Sequence, residues 1–243
     1  MVIETTFVDV PVGEERMRSA LLRPRTAGTY PGVVFYSDIF QLTGPTLRWA
    51  ARLAGYGFVV LVPEIYHRVE APGTVLGFDD EGKARGQADV EALTAAQFDE
   101  DVRAALDFLH ADPGVGRLGA AGHCTGGHIG YRAAFQADVA ATALWYPTGL
   151  HDGKLGADAD AGTLALTPAI AGELLLVFGA DDPHTPAAGR DVVRAALVAA
   201  GVAFRWSVYD AEHAFGRDVG PRFDPVATDL AFAETVALLS SLR

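Results

Sequence analysis

The chain has 243 residues, half of them apolar, with 31 acidic residues against 19 basic ones and a net charge of −12. That length and apolar content support a large core without disulfide or metal staples. The acidic excess argues against nucleic acid or an anionic membrane as partner.

Ile3–Val10 and Met17–Leu22 read as an antiparallel strand pair about the turn Pro11–Glu15. Val33–Tyr36 and Phe58–Val62 are short and continuously apolar, as strands buried on both faces are. Leu118–Ala121, Ala140–Trp145, Leu174–Phe178 and Phe204–Tyr209 continue the series. Helices are predicted between them over Thr46–Ala54, Ala95–His110, Gly127–Gln136, Ala187–Ala200 and Pro225–Leu242. In the second of these, Phe98, Val102, Ala105, Leu106 and Leu109 recur at the spacing of an amphipathic helix. The alternation predicts one α/β domain over residues 1–243, a mostly parallel twisted sheet of about eight strands with helices on both faces. Sites in such sheets gather at the carboxyl ends of the strands. Pro63–Ala92 and His151–Ile170 are too long to be simple connections; both leave strand ends, so both are expected to wall a pocket.

Met1–Thr6 lacks a basic region followed by an apolar one, so no secretory leader is expected. The longest apolar run is read as Ala195–Phe204, too short to cross a membrane. The single cysteine forms no internal bridge and fits a reducing compartment, so a soluble cytoplasmic protein is expected, monomeric or weakly dimeric. The histidines match no zinc spacing, and Gly114-x-Gly116-x-x-Gly119 precedes a strand instead of following one, which excludes a dinucleotide fingerprint. No metal or cofactor is expected.

That cysteine stands in Gly122-His123-Cys124-Thr125-Gly126-Gly127, a G-x-C-x-G between strand and helix. This is the pattern of a nucleophile elbow, a turn so sharp that its flanking positions must be glycine. A free thiol has a pKa of roughly 8.5 and needs a base or a positive potential to react. A helix N-terminus supplies some of that potential. A base must arrive from another strand end. Asp181 and Asp182 both follow Leu174–Phe178; the pattern G-x-x-D-x-x-x-P, with Gly179 and Pro186, favours Asp182 as the orienting carboxylate. His213 follows the last strand and completes the order nucleophile, acid, histidine. The N–H groups of Thr125 and Ile39 are the candidate oxyanion donors. Singly, a buried thiol, a helix-capping Asp182 and a surface histidine would each be unremarkable; their order favours catalysis. Phe40, Tyr66, Trp145 and Tyr146 lie at strand ends as candidate pocket walls.

These segments resemble the dienelactone hydrolase family of α/β-hydrolases, whose nucleophile is cysteine. The likeness runs from about Val33 to the last helix. It takes in Asp38-Ile39-Phe40, Glu64-Ile65-Tyr66, Ala71-Pro72-Gly73-Thr74, Arg85-Gly86-Gln87-Ala88 and His213-Ala214-Phe215-Gly216-Arg217. The resemblance implies an α/β-hydrolase fold, a triad of Cys124, Asp182 and His213, and opening of a carboxylate-bearing enol-lactone in catechol catabolism. It implies that Arg85 and Arg217 hold that carboxylate. The family has a glutamate at the position of Asp38, where it accepts the thiol proton at rest and swings away when substrate arrives. Asp38 is one methylene shorter; its two readings are the resting partner of the thiol and a cap for the next helix. The small-molecule substrate is expected to be an anionic lactone or small ester. The alternatives are a neutral ester or thioester, or a non-catalytic protein using the thiol as a ligand contact.

Overall fold

Val33 and Phe35 point to one face of the sheet and Val34 and Tyr36 to the other, and all four are buried. Strand periodicity of two therefore demands a helical layer on each side. The computed structural model describes residues 1–243. Its strands are β1 Ile3–Val12, β2 Glu15–Pro24, β3 Tyr30–Tyr36, β4 Val59–Pro63, β5 Val115–His123, β6 Val139–Trp145, β7 Glu173–Gly179 and β8 Phe204–Tyr209. They form one sheet in the order β1-β2-β4-β3-β5-β6-β7-β8. β2 pairs antiparallel with β1 and β4, and every later pairing is parallel. This is the α/β-hydrolase arrangement.

The helices are α1 Gly44–Gly55, α2 Asp80–Glu91, α3 Ala95–His110, α4 Thr125–Ala133, α5 Ala187–Ala200 and α6 Pro225–Leu239. Trp49 and Leu53 of α1 and Phe232 and Leu239 of α6 cover the face carrying Phe35. On the other face, Phe98, Val102 and Leu106 of α3 cover Val34 and Tyr36. α4 and α5 close the same layer through Tyr131, Val193 and Leu197 against Leu174 and Leu176.

Two sequence expectations need correction. Pro63–Ala92 contains α2, a helix whose only buried residues are Gly82 and Gly86. With no apolar stripe it leaves no helical periodicity to read. Ala195–Phe204 is the longest unbroken apolar run, but the expectation that no segment is long enough to cross a membrane needs correction. Pro225–Leu242, α6 with the 3-10 turn Ser240–Leu242 after it, is long and apolar enough to cross a membrane. Its inner face is instead packed on the sheet, where Trp145 Nε1 donates to Thr235 Oγ1 at 2.9 Å.

Candidate active site

Cys124 sits between β5 and α4 at φ +56° and ψ −122°, outside the regions that L-residues favour. Close packing holds it there. A Cβ on Gly122 would overlap the carbonyl of Gly126, and one on Gly126 would overlap the carbonyls of Tyr36 and Ser37. Cys124 N donates to Trp145 O at 3.0 Å, and Cys124 O accepts from Gly127 N at 2.9 Å. The sulfur thus stands above the parallel strands at the start of α4.

His213 reaches it from the turn after β8, with Nε2 3.3 Å from Cys124 Sγ. Its Nδ1 lies 2.6 Å from Asp182 Oδ2, and Asp182 Oδ1 accepts the His184 N–H at 2.8 Å. Asp182 is 2% exposed, whereas Asp181 is exposed. The geometry separates the two neighbours: only Asp182 reaches the imidazole. Burial disfavours the imidazolium, but Cys124 and Asp182 outweigh it and hold the His213 pKa up at about 9. Burial alone would likewise raise Asp182; its bonds from His213 and His184 hold it below the usual carboxylate range.

Ile39 and Thr125 both line the cavity beside the sulfur. Neither N–H is taken by an acceptor within the protein. The cavity measures about 650 Å³ and is walled by both long excursions. Phe78, Lys83, Gln87 and Val90 come from the first, and Asp152, Lys154 and Leu155 from the second. His184 lines it too, its ring edge-on to His213 with centroids 4.6 Å apart.

Several candidate residues fall in other places than expected. Asp38 makes no bond to the thiol. Its Oδ1 accepts the Phe40 N–H at 3.0 Å, and its Oδ2 lies 3.9 Å from Arg217. It does not cap α1 either, because Thr43 does. Burial pushes the Asp38 pKa up against the pull of the Phe40 N–H and Arg217. Arg85 is outside the cavity wall, 55% exposed and bonded through two nitrogens to Glu70 at 2.5 and 2.6 Å. Arg217 is in the wall, its guanidinium carbon 4.4 Å from the Phe78 ring centre and 5.2 Å from that of Phe40. Phe40 lines the cavity as expected. Tyr146 does not; at φ +39° its ring folds back under the site, edge-on to His213 at 5.1 Å and 2% exposed. Tyr66 and Trp145 are wholly buried.

The neighbouring histidines have structural work. His123 is enclosed by Phe35, Trp49 and Trp145, and burial drives its pKa down to about 3. His128 is buried between Thr148 O at 3.0 Å and Thr163 Oγ1 at 2.8 Å. No cluster of three or more His, Cys, Asp or Glu assembles in a metal-binding arrangement.

A family model described as "Dienelactone hydrolase family" matches residues 17–242. A Saccharomyces cerevisiae protein named "Putative carboxymethylenebutenolidase" is 34% identical over 94% of this chain and 88% of its own length. A "Carboxymethylenebutenolidase" from Pseudomonas sp. is 28% identical over 89% of this chain and 87% of its own. Among solved structures, the "Putative Dienelactone Hydrolase" of Klebsiella pneumoniae superposes with a TM-score of 0.83 at 23% identity, covering 99% of both chains.

Proposed function

The chain belongs to the dienelactone hydrolase family, and from that membership we propose that Cys124, His213 and Asp182 hydrolyse a carboxylate-bearing lactone or small ester through an acyl-cysteine. Hydrolysis of an ester bond is the activity of the family. The observation that carries the residue assignment is the unbroken line from Cys124 Sγ through His213 to the buried Asp182, at 3.3 and 2.6 Å, with the sulfur and the imidazole lining the cavity.

The chemistry follows from that line. His213 holds the thiol proton, and the thiolate attacks the carbonyl carbon. The negative oxygen of the tetrahedral intermediate is met by the N–H groups of Ile39 and Thr125. As the intermediate collapses, the imidazolium gives its proton to the leaving oxygen, which in a lactone stays tethered to the acyl group. His213 then takes a proton from water, the hydroxide adds to the thioester, and Cys124 departs as thiolate. Asp182 keeps Nδ1–H directed away from the sulfur and stabilises the imidazolium throughout.

Arg217 supports an anionic substrate, since it is held over two aromatic rings in the same cavity. Lys83 is its companion in place of Arg85: it lines the wall and pairs with no carboxylate. A neutral ester is the second reading. It is favoured by Asp38, whose oxygen already stands 3.9 Å from Arg217 and would repel a second carboxylate.

Acid quenching during turnover of an activated ester, followed by peptide mass spectrometry, tests the covalent step. The acyl mass should appear on the peptide carrying Cys124, and Cys124→Ala should lower kcat by at least about 10³-fold. An acyl group found elsewhere, or turnover surviving that substitution, would remove the cysteine from the mechanism.

A further inference from the structure

We propose that Asp38 is a positioning residue of the oxyanion hole, its carboxylate locking the turn Asp38–Gln41 so that the Ile39 N–H faces the space beside Cys124. The inference rests on the nucleophilic role given to Cys124 above. It also assigns the carboxylate work that does not involve the thiol proton.

Two hydrogen bonds carry it. Asp38 O accepts the Gln41 N–H at 3.2 Å. In a trans peptide the carbonyl and the following N–H point in opposite directions, so fixing the Asp38 carbonyl fixes the direction of the Ile39 N–H. Asp38 Oδ1 then accepts the Phe40 N–H at 3.0 Å and fixes the next peptide plane in turn. The rest of the turn is held just as firmly. Gln41 has φ +66° and is 1% exposed; its Nε2 donates to Thr74 O at 3.2 Å, and its Oε1 accepts the Tyr66 N–H at 3.4 Å. Gly86 of α2 lies against the Ile39 carbonyl so closely that a Cβ there would overlap it. Phe40 O accepts the Leu76 N–H at 3.3 Å. Among these restraints the Asp38 carboxylate, which itself lines the cavity, is the side-chain one that binds the peptide plane next to the Ile39 N–H. The sulfur, meanwhile, has His213 as its hydrogen-bond partner.

The carboxylate length fits this task. An aspartate oxygen reaches the N–H two residues on, as in an Asx-turn, whereas the extra methylene of glutamate carries the oxygen past it. Asparagine keeps the acceptor and loses only the charge.

The test is the series Asp38→Asn, Asp38→Ala and Asp38→Glu on a neutral aryl acetate, which takes Arg217 out of the comparison. Because an oxyanion donor acts on the transition state, Asp38→Ala should lower kcat by about 10- to 100-fold while KM changes by less than about threefold. Asp38→Asn should recover kcat to within about fivefold of the native protein, and Asp38→Glu should resemble Asp38→Ala. Alkylation of Cys124 by iodoacetamide builds no oxyanion, so its rate and pH profile should be the same across the series. Equal losses in Asp38→Asn and Asp38→Ala, or a fully active Asp38→Glu with a displaced alkylation profile, would overturn the proposal and make the carboxylate a handler of the thiol proton. Unaltered kcat in Asp38→Ala would overturn it as well. Cys124→Ala is assayed in parallel. Turnover surviving there defeats the nucleophile assignment, whatever the Asp38 series does.

Discussion

Around Cys124 the backbone is held by contacts that leave no space for another atom, whereas the roof of the cavity is held by charges and hydrogen bonds. At the elbow, Gly122 and Gly126 bring β3, β5 and α4 within touching distance. Over the cavity, Glu64 pairs with Arg18 and accepts the Gly73 N–H at 3.0 Å, tying down the first excursion. The second is pinned by Arg132, which bonds Asp99 at 2.6 and 2.7 Å and Thr163 Oγ1 at 2.8 Å. With Arg132 donating to Thr163, the Thr163 hydroxyl proton goes to His128 Nε2. The His128 Nδ1–H is then left to donate to Thr148 O. Burial holding the His128 pKa down at about 3 keeps the neutral ring this pattern needs. Packed turns fix atoms to fractions of an ångström, as covalent chemistry requires. Polar anchors can be moved or exchanged, as a wall that selects substrates requires.

Breaking the elbow should have the largest effect. In Gly126→Ala the new Cβ meets two backbone carbonyls that have no rotamer to retreat into. We expect a loss of about 3 kcal/mol or more and no measurable turnover. Gly162, in the second excursion, has φ +63° and no atom within 4 Å of where a methyl would stand, so Gly162→Ala should cost only about 1 kcal/mol and spare activity. Thermal melts and ester turnover measure both. Similar costs for the two would refute the contrast between packed turn and polar wall.

Arg132→Leu is the matching break in the wall. It strips the buried Thr163 hydroxyl and Ala161 carbonyl of a donor, and should cost about 2–4 kcal/mol. Because Gly149, Asp152 and Leu155 line the cavity from the segment this network anchors, KM should rise by about tenfold with kcat much less affected. A fall in kcat with KM unchanged would mean that the network serves the reacting groups and not the substrate-selecting wall.

The same contrast explains which parts were legible in the sequence. The apolar runs marked all eight strands, the inner ones because they are buried on both faces and the half-exposed edge strands β1 and β8 by apolar and aromatic content alone, and Gly122-x-Cys124-x-Gly126 marked the elbow because only glycine fits there. α2 left no such mark. Its only buried residues are Gly82 and Gly86, with Val90 half-buried against the core, and its one clear signal was Asp79, whose carboxylate accepts the Gly82 N–H at 2.8 Å as a helix N-cap. Without the helix, the rotation of its side chains was unknowable. Lys83, Gln87, Val90 and Glu91 follow helical spacing along the cavity face. At about 100° per residue, Arg85 stands roughly 200° round from Lys83, so a motif match picked out a basic residue that lies outside the cavity wall. The Asp38 carboxylate misled for a related reason: a residue name shows charge but not which N–H the backbone will present to it.

The smallest effects should separate the two substrate readings. Arg85→Ala removes the exposed half of a pair with Glu70 and no cavity atom, so kinetics on any ester should match the native protein. Arg217→Ala should lower kcat/KM for a carboxylated ester by about 10- to 30-fold, the range of a charge-assisted contact, and leave a neutral ester of the same size nearly unchanged. Lys83→Ala should act in the same direction by about two- to fivefold, because its flexible ammonium is exposed and screened. The carboxylate preference should therefore fall in the order Arg217, Lys83, Arg85. If Arg217→Ala left the ratio of carboxylated to neutral ester untouched, Asp38 would already be the partner of that guanidinium, and the cavity would be one for neutral esters. If Arg85→Ala lowered the ratio, α2 would have to turn by about half a revolution when substrate binds, and the wall would be more mobile than its anchors imply.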